Sequence, residues 1–151
     1  MEAKLLERPV GWIMGITARV RPESADYQDL WQNRFGSREA EIAGLAVEKG
    51  YFGVYYGTGE PGWVDFVAGM AVGAGVRAPE GLVVRELPPG RCASFRCTMA
   101  TIAKTWSEIY RDWLPASPFV EDQVRPCLEH FVPSGPGGET EVTIYLPILD
   151  K

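Results

Sequence analysis

The chain has 151 residues, a length that holds one domain with a real core and is marginal for two. Apolar residues at 46% and charged residues at 23% give an ordinary globular balance, while seventeen glycines and twelve prolines predict many turns and a strand-rich fold. A net charge of −5 without a basic run argues against a nucleic-acid partner, and no stretch approaches the roughly 18 apolar residues of a membrane span.

The opening MEAKLLERPVGW has acids where a secretory leader needs a basic segment, and it lacks a long apolar core. No signal peptide is read there, and a cytoplasmic location is expected. Residues 12–20, WIMGITARV, are rich in β-formers and read as a strand. Pro22, Glu23, Ser24 and Asp26 then mark a helix start, and Tyr27, Leu30, Trp31 and Phe35 fall on one helical face. SREAEIAGLAVEKG reads as a turn of helix and a loop. YFGVYYG (51–57) and VDFVAGMAVG (64–73) form a hairpin across GEPGW. LVVREL (82–87) leads through PPG to RCASFRC (91–97), another strand. TIAKTWSEIYRDWL (101–114) is a helix with Ile102, Trp106, Ile109 or Tyr110, and Trp113 on one stripe, stopped by Pro115. CLEHFV is a strand, PSGPGGET (133–140) a loop, and EVTIYLPIL (141–149) the last strand.

The pattern repeats. PVGWIMGITARV at 9–20 lies over PPGRCASFRCTM at 88–99, and the same offset carries Tyr27 onto Trp106, Leu30 onto Ile109 and Trp31 onto Tyr110. The expected fold is therefore α+β: one domain over 1–151, built from two pseudo-symmetric βαββ repeats at about 8–75 and 84–149. Two antiparallel sheets with two main helices would meet at a central cleft, a natural ligand site.

Metal and redox chemistry find little support. Three cysteines are an odd count, and Cys92 and Cys97 point to opposite faces of a strand, which favours reduced thiols. With His130 as the single histidine and no C-x-x-C, no metal site and no cofactor are expected.

The acid in CLEHFV raises the functional question. Cys127, Glu129 and Phe131 share one strand face, and Leu128, His130 and Val132 share the other. On the strand pattern alone Glu129 reads first as a solvent-facing residue or a partner of Arg125 or Arg91, and second as a buried acid at the cleft. Under the duplication it matches Gly53, and Phe131 matches Tyr55. That sets a carboxylate beside a glycine gap with rings around it. His130 points away from Glu129, so the two cannot act in one site.

YFGVYYG, GLVVRELPPGRCASF, TWSEIYRDWLPAS, CLEHF and EVTIYLPI, in this order and spacing, resemble the GyrI-like effector-binding domain over about residues 8–149. That family is the ligand-binding half of bacterial multidrug-responsive transcription activators and also occurs as free-standing proteins. The chain starts directly at the domain, so it resembles the stand-alone members. The resemblance implies two βαββ units around a central pocket. It also implies an acid in the penultimate strand, followed two residues later by an aromatic, that pairs with cationic lipophilic drugs. Glu129 and Phe131 match that pattern, although the family usually has tyrosine where Phe131 stands.

The expected ligand is thus a cationic, aromatic small molecule, held by Glu129, Phe131, Tyr55, Trp106, Trp31, Tyr145 and Met70. Tyr55 and Phe131 flank the seam. Trp31 and Trp106 lie on helical stripes, which serve core more often than pocket. Tyr145 opposes the apolar side of its strand and is placed at the pocket mouth, and Met70 reads as an adaptable wall or equally as core. Two other readings stand beside binding. Some stand-alone relatives hydrolyse cyclopropane-bearing genotoxins, which would make Glu129 and Tyr55 catalytic. An inhibitor-like domain would instead bind a protein partner through its sheet edges.

Overall fold

Alternating apolar residues separated by glycine and proline turns become nine strands in the computed structural model, which describes all 151 residues. They are β1 Lys4–Arg8, β2 Gly11–Val20, β3 Tyr51–Gly57, β4 Val64–Val72, β5 Val83–Leu87, β6 Gly90–Thr98, β7 Phe119–Glu121, β8 Cys127–Val132 and β9 Glu141–Asp150. Every pairing is antiparallel, and the order is β1-β6-β9-β8-β3-β4-β2-β5, with β7 added to β9.

That order places β6-β9-β8 against β3-β4-β2 as mirrored sets. The outer strands are exchanged: β1 precedes β2 in the chain but pairs with β6, and β5 precedes β6 but pairs with β2. The two sheets expected from the sequence are joined into one by β3 and β8. Gly53 sits opposite Glu129, with Tyr51 opposite Phe131 on one side and Tyr55 opposite Cys127 on the other.

Two helices lie on one face of this sheet. The first is π-helical over Asp29–Phe35, and its wide turn closes with the Gly36 N–H donating to the carbonyl of Trp31 at 3.0 Å. Asp26 caps its start by accepting from the Asp29 N–H at 3.1 Å. A single α-turn, Glu39–Ala43, follows. The second helix is α-helical over Ile102–Glu108 and π-helical over Ile109–Trp113, and it ends in a last turn at Leu114–Ala116. Pro115 therefore sits inside the last turn rather than ending the helix before it.

Each helix covers its own half. Leu30, Phe35 and Ile42 pack on Met14, Ile16, Phe66, Ala68 and Met70. Ile109 packs on Ala93, Phe95, Ile144, Leu146 and Ile148. A third cluster fills the opposite face of the sheet, where Ile13, Phe52, Val54, Val67 and Leu128 are buried. The backbones of β2 and β4 touch at the paired Gly15 and Gly69, where a Cβ on Gly15 would stand 2.0 Å from the Ala68 carbonyl oxygen. The strip of sheet between the helices, at β3 and β8, carries the candidate site.

Candidate functional site

A cavity of about 1100 Å³ opens between the two helices, with β3 and β8 as its floor. Tyr27 and Trp31 wall it from the first helix, and Trp106 and Tyr110 from the second. Tyr51, Tyr55, Cys127, Glu129 and Phe131 rise from the floor. The strand alternation dictates this set, because Glu129 and Phe131 share a face and their partners Gly53 and Tyr51 carry it across the seam.

Glu129 is only 6% exposed. Its Oε1 accepts from the Tyr55 hydroxyl at 2.9 Å, and its Oε2 accepts from the Trp106 indole N–H at 2.8 Å. Both donors are neutral, so the carboxyl group has no counter-charge. Burial pushes it above the ordinary carboxylate range, and the hydrogen bonds from Trp106 and Tyr55 pull it partway back. Burial and the nearby Glu129 push Tyr55 well above the ordinary phenol range, which keeps it a donor. The arginines that could have neutralised Glu129 are engaged elsewhere. Arg125 pairs with Asp122 at 2.7 Å, and Arg91 with Asp150.

Gly53 makes this arrangement fit. A Cβ there would lie 3.1 Å from the Phe66 ring and 3.2 Å from Glu129 Oε1. Without one, the carboxyl group and the ring occupy the same hollow. The rings around it form a network. Trp31 meets Phe131 edge-on with centroids 5.6 Å apart, and Tyr55 tilts against Phe66 at 5.0 Å. Asp122 and Arg125 also line the cavity and cancel each other's charge, so the ring faces and the unpaired Glu129 leave a hollow suited to positive charge.

The model of the GyrI-like small molecule binding domain matches residues 1–149 of the chain. The chain belongs to this family. Transcriptional regulator BrlR of Pseudomonas aeruginosa is 29% identical to this GyrI-like domain. The match covers 98% of the chain and 56% of that protein, so the chain spans a little over half the length of this curated relative. The structure of SAV2435 bound to tetraphenylphosphonium superposes with a TM-score of 0.81 at 13% identity, covering 99% of this chain and 94% of that one. The EcmrR C-terminal domain gives 0.73 at 13% identity, covering 99% and 98%. At such identities the two structures establish likeness of fold alone.

The GyrI-like chain brings together five of the seven residues singled out from its sequence: Glu129, Phe131, Tyr55, Trp106 and Trp31 all line the cavity. The other two lie elsewhere. Tyr145 is paired with Leu128, on the opposite face of the sheet from Glu129, and packs on the core there with the Arg8 guanidinium 4.4 Å from its ring. Tyr145 is only half-buried there, so its side of β9 is the wetter one, as the alternation suggested, but it lies across the sheet from the cavity and does not form its mouth. Met70 is buried in the core beneath the first helix. His130 also points away from the cavity, stacked on Phe52 with centroids 4.1 Å apart. Tyr27, Tyr51, Tyr110 and Glu121 line the cavity without having been singled out. Tyr51 was within reach, since it alternates with Gly53 and Tyr55. Tyr110 was too, as the counterpart of Trp31 under the repeat. Glu121, between Pro118 and Pro126, carried no signal.

No helix is long and apolar enough to cross a membrane.

Proposed function

We propose that this domain binds lipophilic, cationic, aromatic small molecules in the cavity between its helices, as a cytoplasmic sensor or sequestering module. The observation that carries the proposal is Glu129: an acid 6% exposed, held by two neutral donors, at the floor of an aromatic hollow. Burying a carboxylate without an opposite charge costs several kcal/mol. An organic cation would supply that charge, and each ring face would add about 0.5–2 kcal/mol of attraction. Neutral lipophiles gain only the contact area. The tetraphenylphosphonium complex of SAV2435, a protein of the same fold, is of the ligand class this chemistry would select. The net charge of −5 leaves this domain poorly suited to touch nucleic acid itself.

Titration with tetraphenylphosphonium tests the proposal, because Trp31 and Trp106 in the wall make tryptophan fluorescence the reporter. Saturable quenching with one site per chain is expected. A folded protein that shows no response to any aromatic cation refutes it.

The pairing of Tyr55 with Glu129 favours a second reading, hydrolysis of a strained cyclopropane ring, in which Glu129 positions a water that bonds to one ring carbon as a ring C–C bond breaks, and Tyr55 assists transfer of the water's proton to the electron pair released on the other carbon. Product accumulating beyond one equivalent supports that reading. Stoichiometric binding without product rejects it.

A further inference from the structure

Glu129 is not the only acid in the cavity wall. Glu121, at the end of β7, lines the same space, beside Tyr110. The Tyr110 hydroxyl donates to Glu121 Oε2 at 3.1 Å, much as the Trp106 N–H donates to Glu129 Oε2 at 2.8 Å. Trp106 and Tyr110 are four residues apart on the second helix and stack, with centroids 5.9 Å apart and ring planes at 12°. One aromatic pair thus spans two carboxyl groups along a single wall. Cys127 lies on the floor within range of both. Burial, then the charges of Glu121 and Glu129, push its thiol up, so it is a neutral spacer.

Glu121 has no ion-pair partner. The nearby cations have other partners, including Arg125, which itself stands in the cavity wall. Arg125 serves Asp122 and the carbonyls of Arg91 and Ile148. Lys151 shares an adjoining groove with Glu121 and Tyr110, but its ammonium donates to the Pro115 carbonyl at 3.1 Å. Burial raises the Glu121 carboxyl above its ordinary range, the Tyr110 hydrogen bond opposes this, and the charge of Asp122 adds to it.

We propose that Glu121 and Tyr110 form a second cation subsite, so that the cavity prefers elongated aromatic dications whose two positive ends reach Glu129 and Glu121. This rests on the cation-binding reading of the cavity and narrows its ligand class. A monocation satisfies one carboxylate and leaves the other unmatched. A dication lies along the Trp106–Tyr110 stack and satisfies both.

The test compares an N-alkylquinolinium monocation with bis-quinolinium compounds of graded linker length by titration calorimetry. At its best linker length, the dication binds wild-type protein about tenfold tighter than the monocation, equivalent to about 1.4 kcal/mol. Glu121→Gln removes that advantage: the dication falls to about the affinity of the monocation, and the monocation loses several-fold less than the dication does. Thermal unfolding of the variant checks that it is folded. If it is not, the linker series on the wild type decides alone. Equal affinity for both charge types at every linker length overturns the second subsite and leaves the cation reading standing, as does a dication advantage untouched by Glu121→Gln. Failure of the folded wild type to bind any of these cations removes both.

Discussion

Replacing Tyr55 by phenylalanine removes one hydrogen bond from Glu129, together with the contact of its hydroxyl with Tyr27, and leaves the ring. The ring keeps its place against Phe66, 5.0 Å away, and the Trp106 N–H still serves the other carboxyl oxygen. A hydrogen bond to a charged group contributes about 1.5–3 kcal/mol. Its loss falls on the ionised carboxylate, and one pKa unit corresponds to about 1.36 kcal/mol. Tyr55→Phe therefore raises the Glu129 pKa, already raised by burial, still further. Organic cations bind the ionised form, so affinity climbs as pH rises through the Glu129 pKa and levels off above it. The variant moves that climb to higher pH. Below both midpoints it binds about 10–100-fold more weakly. Above both, its affinity matches or exceeds that of the wild type. Tetraphenylphosphonium affinity, followed by tryptophan fluorescence across the pH range, measures this. An unshifted profile, or uniform weakening at every pH, would show that Tyr55 acts by touching the ligand and not by tuning the acid.

Three further outcomes follow from neighbouring groups. Gly53→Ala places a methyl group 3.1 Å from the Phe66 ring and 3.2 Å from Glu129 Oε1. It should destabilise the fold by about 1–2 kcal/mol in urea denaturation and displace the acid enough to weaken cation binding. Arg125→Met leaves Asp122 without its partner and should lower stability by about 3–5 kcal/mol. Burial opposes ionisation of Asp122, but hydrogen bonds from the Arg125 side chain and the Val124 and Arg125 N–H groups outweigh it and hold the carboxyl below its ordinary range. Its stabilisation is present above the unfolded pKa and is lost as pH falls through the lower folded value, so the Arg125→Met deficit should shrink in acid. Glu129 has the opposite sign. Its raised folded pKa gives a contribution that is complete below the unfolded value and lost as pH rises through the folded one. The stability of the ligand-free wild type relative to Glu129→Gln should therefore decline with rising pH, as thermal midpoints would register.

The strands that carry the site were legible because their alternation is clean and their bounding glycines and prolines are frequent. The face assignment of Glu129 and Phe131 followed from that alternation. Two short strands, β1 and β7, were not legible. β1 has adjacent Leu5 and Leu6, which give no single face, and β7 is three residues long after Pro118. Tyr145 went astray for a tertiary reason. Its side of β9 is the wetter one, but that face lies across the sheet from the helices and the cavity, so Tyr145 packs half-buried against Leu128 and its neighbours and not at the pocket mouth. Met70 was lost to the first helix, which covers β4 over that stretch. The π-helical turns were not legible either, because the i, i+4 spacings of Tyr27 with Trp31 and Trp106 with Tyr110 suit an ordinary helix equally well. Glu121 reaches the cavity only because β7 joins the edge of β9, a pairing between segments far apart in the chain.

A matched pair of ligands, one an aromatic quaternary ammonium and the other its uncharged carbon isostere, tests most directly whether a carboxyl group withheld from water chooses the guest. Titrated against wild-type protein and Glu129→Gln, the cation should lose at least about tenfold in affinity while the isostere changes by less than about twofold. Equal losses for both ligands, or no loss for either, would contradict the account.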